Sequence, residues 1–345
     1  MTKEKYNIAI LGATGNVGRI FLQILEERKF PIGNLKLLSS KKSAGTKVIF
    51  CGKEYTVEEA TKNSFKDIDI VLASAGGTTS KELCPYAVKA GAVVIDNSSA
   101  FRMDKNVPLV VAGVNNHHLK NHSGIIANPN CTTAQLVPAL KALDNLAGLK
   151  RVIISTYQSV SGAGKAAIDE LTEQSQNLLS GKDFTQSIST PNRKFAFNVI
   201  PHIDVFSEDG YTKEEIKVIN ESRKILDLPN LKITCTAVRV PVFIGHSESV
   251  NVELEKNVSK NDIVKALHEM PLIEVIDNPS DSKYPMPIDL ENTDPVYVGR
   301  IREDKSQPNT FNLWIVADNL RIGAALNAIR IAEELVKENL VKTPA

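Results

Sequence analysis

The sequence predicts an α/β protein of two domains, a mostly parallel sheet built from βαβ units followed by an α+β domain around a large mixed sheet. Three observations lead there. An apolar run, Tyr6 to Leu11, ends in a glycine turn and passes into a helical pattern. Strands and helices then alternate, the arrangement of a parallel sheet. From Asn128-Pro129-Asn130 onward long alternating strands take over, which favours antiparallel or mixed pairing.

In order, Tyr6 to Leu11 reads as the first strand, and Val17, Ile20, Phe21, Ile24 and Leu25 share one face of the helix after it. Leu35 to Leu38 and Ile68 to Ser74 read as strands, Thr79 to Ala90 as a helix and Ala92 to Asp96 as another strand. In the second part the strands are Val152 to Tyr157, Lys232 to Val242, Glu248 to Leu254, Val296 to Arg302 and Thr310 to Val316. Helices follow Gly164, Thr212 (with Glu215 in a capping box) and Ser259. The Pro-rich stretch Asn278 to Pro287 reads as a loop, and a last helix runs from about Asn319 to Glu338. The expected border puts residues 1–127 in the first domain, completed by a C-terminal helix at 320–345, and residues 128–319 in the second.

Composition narrows the function. With 345 residues, 41 Lys+Arg against 40 Asp+Glu and 42% hydrophobic residues, the chain has no basic excess to attract nucleic acid or anionic lipid. Its longest apolar runs, such as Leu109 to Val114, are of buried-strand length, far below the roughly 18 residues of a membrane span. The polar start, Met1 to Tyr6, shows no signal-peptide pattern, so a cytoplasmic protein is expected. Cys51, Cys84, Cys131 and Cys235 are widely spaced, which argues against a disulfide framework or thiolate zinc site. His117, His118 and His122 cluster without an acidic neighbour in the sequence and are expected in a surface loop, so no metal is predicted.

Gly12, Gly15 and Gly18 lie between the first strand and its helix, where backbone N–H groups can cradle a pyrophosphate in a Rossmann-like domain. A tight turn with no ligand is the other reading. The second strand ends in Ser39-Ser40-Lys41-Lys42-Ser43, without the carboxylate that would grip both ribose hydroxyls of NAD. Lysines and serines suit a 2′-phosphate instead, which favours NADP(H). Asn130-Cys131-Thr132-Thr133 precedes a helical pattern carrying Leu136, Leu140 and Leu143, so Cys131 stands at a helix N-terminus, where negative charge on sulfur is stabilised. Thr132 or Thr133 is expected to cap that helix, with Pro138 near its start or kinking it. Cys84 and Cys235, inside apolar periodic segments, read as inert core thiols, and Cys51 as part of a hairpin turn.

The chain resembles the aspartate-semialdehyde dehydrogenases. The resemblance rests on Gly12-Ala13-Thr14-Gly15-Asn16-Val17-Gly18, Ser43-Ala44-Gly45, Asp96-Asn97-Ser98-Ser99-Ala100-Phe101-Arg102, Asn128-Pro129-Asn130-Cys131-Thr132-Thr133, Gln158-Ser159-Val160-Ser161-Gly162-Ala163-Gly164, Arg239-Val240-Pro241-Val242 and Gly245-His246-Ser247-Glu248, in that order. It implies that Cys131 is the nucleophile, that Gln158 positions the substrate carbonyl and that His246 is the general acid–base. It further implies that Arg239 clamps the substrate carboxylate, that Asn130 and Arg102 belong to a phosphate pocket, and that Glu214 faces the substrate amino group and Lys217 the phosphate. Gly12, Thr14, Gly15, Asn16, Val17, Gly18, Ser40, Lys42, Ser43, Ser161, Gly162 and Asn319 fall at cofactor positions. Lys42 departs from the arginine common there, keeping the charge and losing the bidentate fork.

Taken as residues, several of these have plainer readings. His246 suits a core histidine as well as a catalytic one, and Arg239, in an apolar strand, needs an anionic partner that is either a structural carboxylate or a substrate. Gln158 suits a backbone bond in a loop or a nicotinamide contact beside the small residues that follow it. Glu214 and Lys217, at i and i+3 on a helix, suit a surface ion pair, and Arg102 an anion site or a solvated arginine.

The resemblance implies NADPH-dependent reductive dephosphorylation of L-aspartyl 4-phosphate to L-aspartate 4-semialdehyde, reversible with phosphate, in lysine, threonine and methionine biosynthesis, by a homodimer or a dimer of dimers. N-acetyl-gamma-glutamyl-phosphate reductase is the competing enzyme, with a different cysteine motif. A non-catalytic NADP-sensing protein is the competing reading of another class.

Overall fold

The computed structural model describes residues 3–183 and 194–341, which fall into two compact units. Residues 1–130 and 324–345 make one of them. Its elements up to residue 130 are β1 (Tyr6–Leu11), α1 (Asn16–Glu27), β2 (Ile32–Ser39), β3 (Lys47–Phe50), β4 (Lys53–Thr56), β5 (Glu58–Glu59), β6 (Ile70–Ala73), α2 (Gly77–Lys89), β7 (Val93–Asp96) and β8 (Ile125–Ala127). The main sheet runs β5-β2-β1-β6-β7-β8, with every pair parallel. β1 lies inside it, pairing Ile10 with Leu37 on one side and Leu72 on the other, which is why its sequence is almost continuously apolar. α1 buries Phe21, Leu22, Ile24 and Leu25. Cys51 and Gly52, at φ 48° and 72°, form the two-residue turn of the β3–β4 hairpin.

The other unit spans Cys131–Gly323. It contains α3 (Cys131–Ala147), β9 (Leu149–Gln158), α4 (Lys165–Leu179), α5 (Lys213–Ile225), β10 (Lys232–Arg239), β11 (His246–Leu254), α6 (Lys260–His268), β12 (Ile273–Val275), β13 (Val296–Glu303) and β14 (Thr310–Ala317). Its mixed sheet runs β10-β9-β11-β14-β13-β12, parallel at β10/β9 and β13/β12 and antiparallel between. α3 packs on β9, β11, β13 and β14 with α5 and α6 beside it, so it is buried nearly all round. The antiparallel register has a simple result. β9 and β10 end where β11 begins and β14 ends, so Gln158, Arg239, His246 and the residues after Ala317 meet at one edge of the sheet.

The chain then returns to the first unit as α7 (Leu326–Lys337). Asn327 anchors it there, its Nδ2 donating to the Val110 carbonyl at 2.9 Å and its Oδ1 accepting from Ala112 N at 2.9 Å.

Several boundaries differ from the sequence reading. The last helix begins with a π-helical turn, Arg321–Ala325, and becomes α-helical only at Leu326. The carboxylate of Asp318 accepts from the Leu320 and Arg321 N–H groups, turning the backbone just where the helix was expected to start. α7 ends at Lys337, and residues 342–345 of the expected helix, like Met1 and Thr2 of the polar start, lie outside the described residues. Thr132 and Thr133 lie inside α3 and do not cap it, and Pro138 is interior to the helix. β10 stops at Arg239, before Pro241, and β11 starts at His246, so that histidine opens a strand. The Leu109 to Val114 run pairs only through a bridge from Leu109 to Ala127, and the Pro-rich stretch contains 3-10 turns at Pro279–Asp281 and Pro287–Asp289. His122 is buried, where a surface loop was expected. Its Nδ1 accepts from Gly124 N, leaving Nε2 to donate to the Leu340 carbonyl at 2.8 Å.

Candidate active site

The second unit gathers Gln158, Arg239 and His246 at its sheet edge. Gln158 and Arg239 are register partners at the ends of β9 and β10, and His246 opens β11 beside them. All three are buried. Arg239 Nη1 donates to the Ser159 carbonyl at 2.7 Å, and Gln158 Nε2 donates to Glu214 Oε1 at 3.4 Å.

His246 is held in one tautomer. The Ser159 backbone N–H, which can only donate, points at Nδ1 at 3.1 Å, so the neutral ring carries its proton on Nε2. Burial, helped by the Arg239 guanidinium, pushes its pKa well below the ordinary 6.5, which keeps the ring neutral. Nε2 is itself buried and has no hydrogen-bond partner among the described residues. A Cβ built on Gly162 would stand 3.2 Å from that nitrogen and 3.3 Å from Arg239 Nη1, so the glycine leaves room for both side chains. Ser159 Oγ, Ser161 Oγ and the Gly245 N–H all converge on Asn319 Oδ1, at 3.1, 3.1 and 2.9 Å, which locks the loop between these strands.

Cys131 is the first residue of α3 and is half-buried, at the end of the helix where the backbone dipole stabilises negative charge. One turn on, on the same helix face, Gln135 donates to the His246 carbonyl at 3.2 Å, tying the cysteine's helix to the histidine's strand. Gly323 packs against the cysteine itself, since a Cβ there would lie 2.7 Å from Cys131 Cβ. The other thiols are of a different kind. Burial raises Cys84 to about 12 and Cys235 well above 9.0, and Cys51 sits at the exposed hairpin turn.

Glu214 and Lys217 form the expected i, i+3 pair, with Nζ 3.4 Å from Glu214 Oε2, yet Glu214 is buried and engaged by Gln158. Lys217 also holds Asp204 at 2.7 Å, a residue with no signal in the sequence, and both carboxylates raise the lysine's pKa against the opposing effect of burial.

In the first unit the glycine turn has the form a pyrophosphate needs. Gly12, at φ +96°, and Gly18 could carry no Cβ, since one would fall 2.9 Å from Ser74 C and 2.3 Å from Gly12 O respectively. Gly15 caps α1 without a side chain, so Asn16 and Val17 begin the helix with backbone N–H groups that no side chain covers. Thr14 Oγ1 lies 2.9 Å from Ser39 Oγ, joining the turn to the end of β2, and Ser40, Lys42 and Ser43 follow at an exposed 3-10 turn. These residues fit a phosphorylated dinucleotide. A cleft of about 400 Å³ between α1 and the β3–β4 hairpin takes Thr14 of the expected set, together with Arg19, Gln23 and Lys47. Arg102 is buried, donating to the Asn128 carbonyl from Nε and the Asn97 carbonyl from Nη2, both at 2.8 Å, and Asn130 is buried next to Cys131 in sequence.

Sequence reasoning passed over Ser159, Gln135, Gly323 and Asp204. Ser159, Gln135 and Gly323 act through contacts with residues far along the chain and Asp204 through one in a neighbouring element, and none stands in a periodic pattern that would mark it.

Known proteins share this fold. The family model for the semialdehyde dehydrogenase NAD-binding domain matches residues 7–122, and that for the dimerisation domain matches residues 140–322. An aspartate-semialdehyde dehydrogenase of Aquifex aeolicus (strain VF5) is 54% identical over 339 residues, spanning 97% of this chain and 99% of that one. The crystal structure of aspartate-semialdehyde dehydrogenase II from Vibrio cholerae complexed with ASA has a TM-score of 0.93 at 43% identity, covering 97% of this chain and 99% of that one. A Candida albicans aspartate-semialdehyde dehydrogenase solved with NADP has a TM-score of 0.77 at 26% identity, covering 97% and 99%. Among the described residues no helix is long and apolar enough to cross a membrane. With an NAD-binding domain followed by a dimerisation domain, and relatives of one name along nearly its whole length, the chain belongs to the aspartate-semialdehyde dehydrogenase family of oxidoreductases.

Proposed function

We propose that the chain reduces L-aspartyl 4-phosphate to L-aspartate 4-semialdehyde with NADPH and release of phosphate, reversibly, through a thioacyl group on Cys131, at the step leading to lysine, threonine and methionine. The observation that carries this reading is the tie from α3 to β11, with Cys131 and Gln135 on one helix face and His246 held as a neutral Nε2–H donor at the sheet edge.

The Cys131 sulfur attacks the acyl carbon as the thiolate, and a C–S bond forms as the bond to the phosphate oxygen breaks and phosphate leaves. Bound NADPH supplies the hydride that reduces the thioester. His246 faces the oxygen that becomes negative in each tetrahedral adduct, shares its Nε2 proton with it and recovers that proton as the adduct collapses, the first by loss of phosphate and the second, after hydride transfer, by cleavage of the C–S bond to return the thiolate. Arg239, held by the Ser159 carbonyl, clamps the substrate carboxylate. Gln158 orients the carbonyl, Glu214 takes the amino group, and Lys217, Arg102 and Asn130 hold phosphate. Gly12, Thr14, Gly15, Asn16, Val17 and Gly18 cradle the pyrophosphate, and Ser40, Lys42 and Ser43 favour NADP(H) through the 2′-phosphate. Ser161, Gly162 and Asn319 border the nicotinamide end.

In this reading the unit spanning residues 1–130 and 324–345 binds the cofactor, and residues 131–323 carry catalysis and dimerisation. The protein works in the cytoplasm as a homodimer. Support for the dimer comes from the matched dimerisation domain and from the second unit's sheet, where the Tyr157 and Trp314 rings stand 5.4 Å apart and a cleft of about 330 Å³ is lined by Tyr284, Met286 and Arg300.

The test is phosphate-dependent NADPH formation from aspartate semialdehyde and from N-acetylglutamate semialdehyde, with mass spectrometry of the protein after reaction with the phosphorylated substrate. The expected result is preference for the aspartate compound and an acyl mass on Cys131. Preference for the acetylated compound overturns the substrate, and NADPH binding without any acyl group on Cys131 overturns the catalytic reading.

A further inference from the structure

Behind the site the core holds a carboxyl group that the reaction does not use. Glu248 stands two residues after His246 on β11, so both side chains leave the same face of the sheet, and it is fully buried. Its ladder neighbours are Thr156 and Ile315. Around it, β10 brings the Cys235 thiol, raised first by burial, with the Glu215 and Glu214 carboxylates of α5 beyond it, and α3 brings the neutral Gln135 amide. Among the described residues neither Glu248 oxygen has a hydrogen-bond partner in proper geometry. A carboxylate in such a place is a desolvated charge without compensation, so the group keeps its proton. Burial accordingly raises it well above the ordinary 4.5, against the smaller downward pull of the Gln135 amide.

Gln135 has the complementary need. Its Nε2 donates to the His246 carbonyl at 3.2 Å, and its Oε1 is buried without a donor among the described residues. A protonated Glu248 can supply the hydrogen that Gln135 Oε1 lacks, a bond that an ionised carboxylate cannot make. We propose that Glu248 is a protonated positioning residue, its carboxyl O–H bonded to Gln135 Oε1, so that the Gln135 amide is fixed between the His246 backbone and the helix that begins at Cys131. The role in catalysis rests on the reading of Cys131 and His246 given above, while the protonation state does not.

Infrared difference spectra of the full-length enzyme against Glu248→Gln at neutral pH test the protonation state directly. The expected result is loss of a protonated-carboxyl band in the variant, and loss of a carboxylate band instead overturns the proposal. Kinetics test the positioning role. Glu248→Gln, neutral and of the same shape, is expected to keep kcat within about threefold, while Glu248→Leu and Gln135→Leu each lower kcat about tenfold or more with the NADP KM unchanged, the double variant losing little beyond either single one. Equal damage from Gln and Leu at position 248 overturns the proposal, and because Glu248→Gln decides both tests, failure of the Leu variant to fold does not remove them. Should Cys131 trap no acyl group, the reaction assignment falls while the infrared result stands by itself.

Discussion

Gly323→Ala isolates the seat of Cys131. Gly323 lies in the π-helical turn before α7 and has no positive φ, so alanine adds no backbone strain. The added methyl would stand 2.7 Å from Cys131 Cβ and 3.0 Å from its Cα, about 0.8 Å short of the roughly 3.5 Å at which carbon atoms rest. One of the two contacts is backbone, so the first turn of α3 has to move by several tenths of an ångström. Overpacking of this kind destabilises by about 1–3 kcal/mol. Since a misplacement of about 1 Å in a reacting group lowers rates about 100-fold, kcat/KM should fall about 10- to 100-fold, equivalent to about 1.4–2.7 kcal/mol of barrier. The assay is phosphate-dependent NADPH formation alongside the rate at which iodoacetamide alkylates Cys131, with Gly77→Ala as the control because a Cβ there only touches Ala100 Cβ at 4.0 Å. If Gly323→Ala keeps both rates within twofold of the parent, the packing argument around Cys131 is wrong.

Three further outcomes are expected. Cys131→Ala should abolish turnover and leave NADP binding near the parental affinity by titration calorimetry, and lost binding would mean that the thiol serves the cofactor. Arg239→Lys loses the 2.7 Å bond to the Ser159 carbonyl and the planar bidentate geometry, so the semialdehyde KM should rise about tenfold or more with kcat less affected, whereas unchanged kinetics would remove Arg239 from the carboxylate site. His246 resists protonation in the fold, so below its ordinary value of 6.5 the unfolded chain takes up a proton that the native state refuses. Native stability should therefore fall on acidification from there toward the depressed folded value, by up to about 1.4 kcal/mol per pH unit, and the slope should be shallower in His246→Gln. Parallel melting-temperature profiles of the two proteins between pH 7 and 5 would show that the ring titrates normally.

What could be read from the sequence was local. β1 was visible from one end to the other because a strand inside a parallel sheet is apolar throughout, and Thr212 with Glu215 announced α5 through the reciprocal bonds the structure contains. The Gly12, Gly15 and Gly18 spacing marked a turn because no other side chain fits it. Illegible features depend on tertiary partners. The late start of the last helix follows from the Asp318 carboxylate bending the backbone, and three-residue strands such as β8 are too short to show a period. Gln135 and His246 are 111 positions apart, so nothing near either residue announces their bond. Gly162 was expected to clear space for a flat ring, and its neighbours His246 and Arg239 supply a different reason for it.

The sheet of the second unit delivers its reacting groups at one edge, which leaves the opposite rim chemically idle. There β13 hands over to β14 through an exposed turn, with Ser306 N and Oγ both bonded to the Asp304 carboxylate. A surface linker or fluorescent label placed on that turn is separated from Gln158, Arg239 and His246 by the full length of the strands, so immobilising the enzyme through it leaves those side chains untouched.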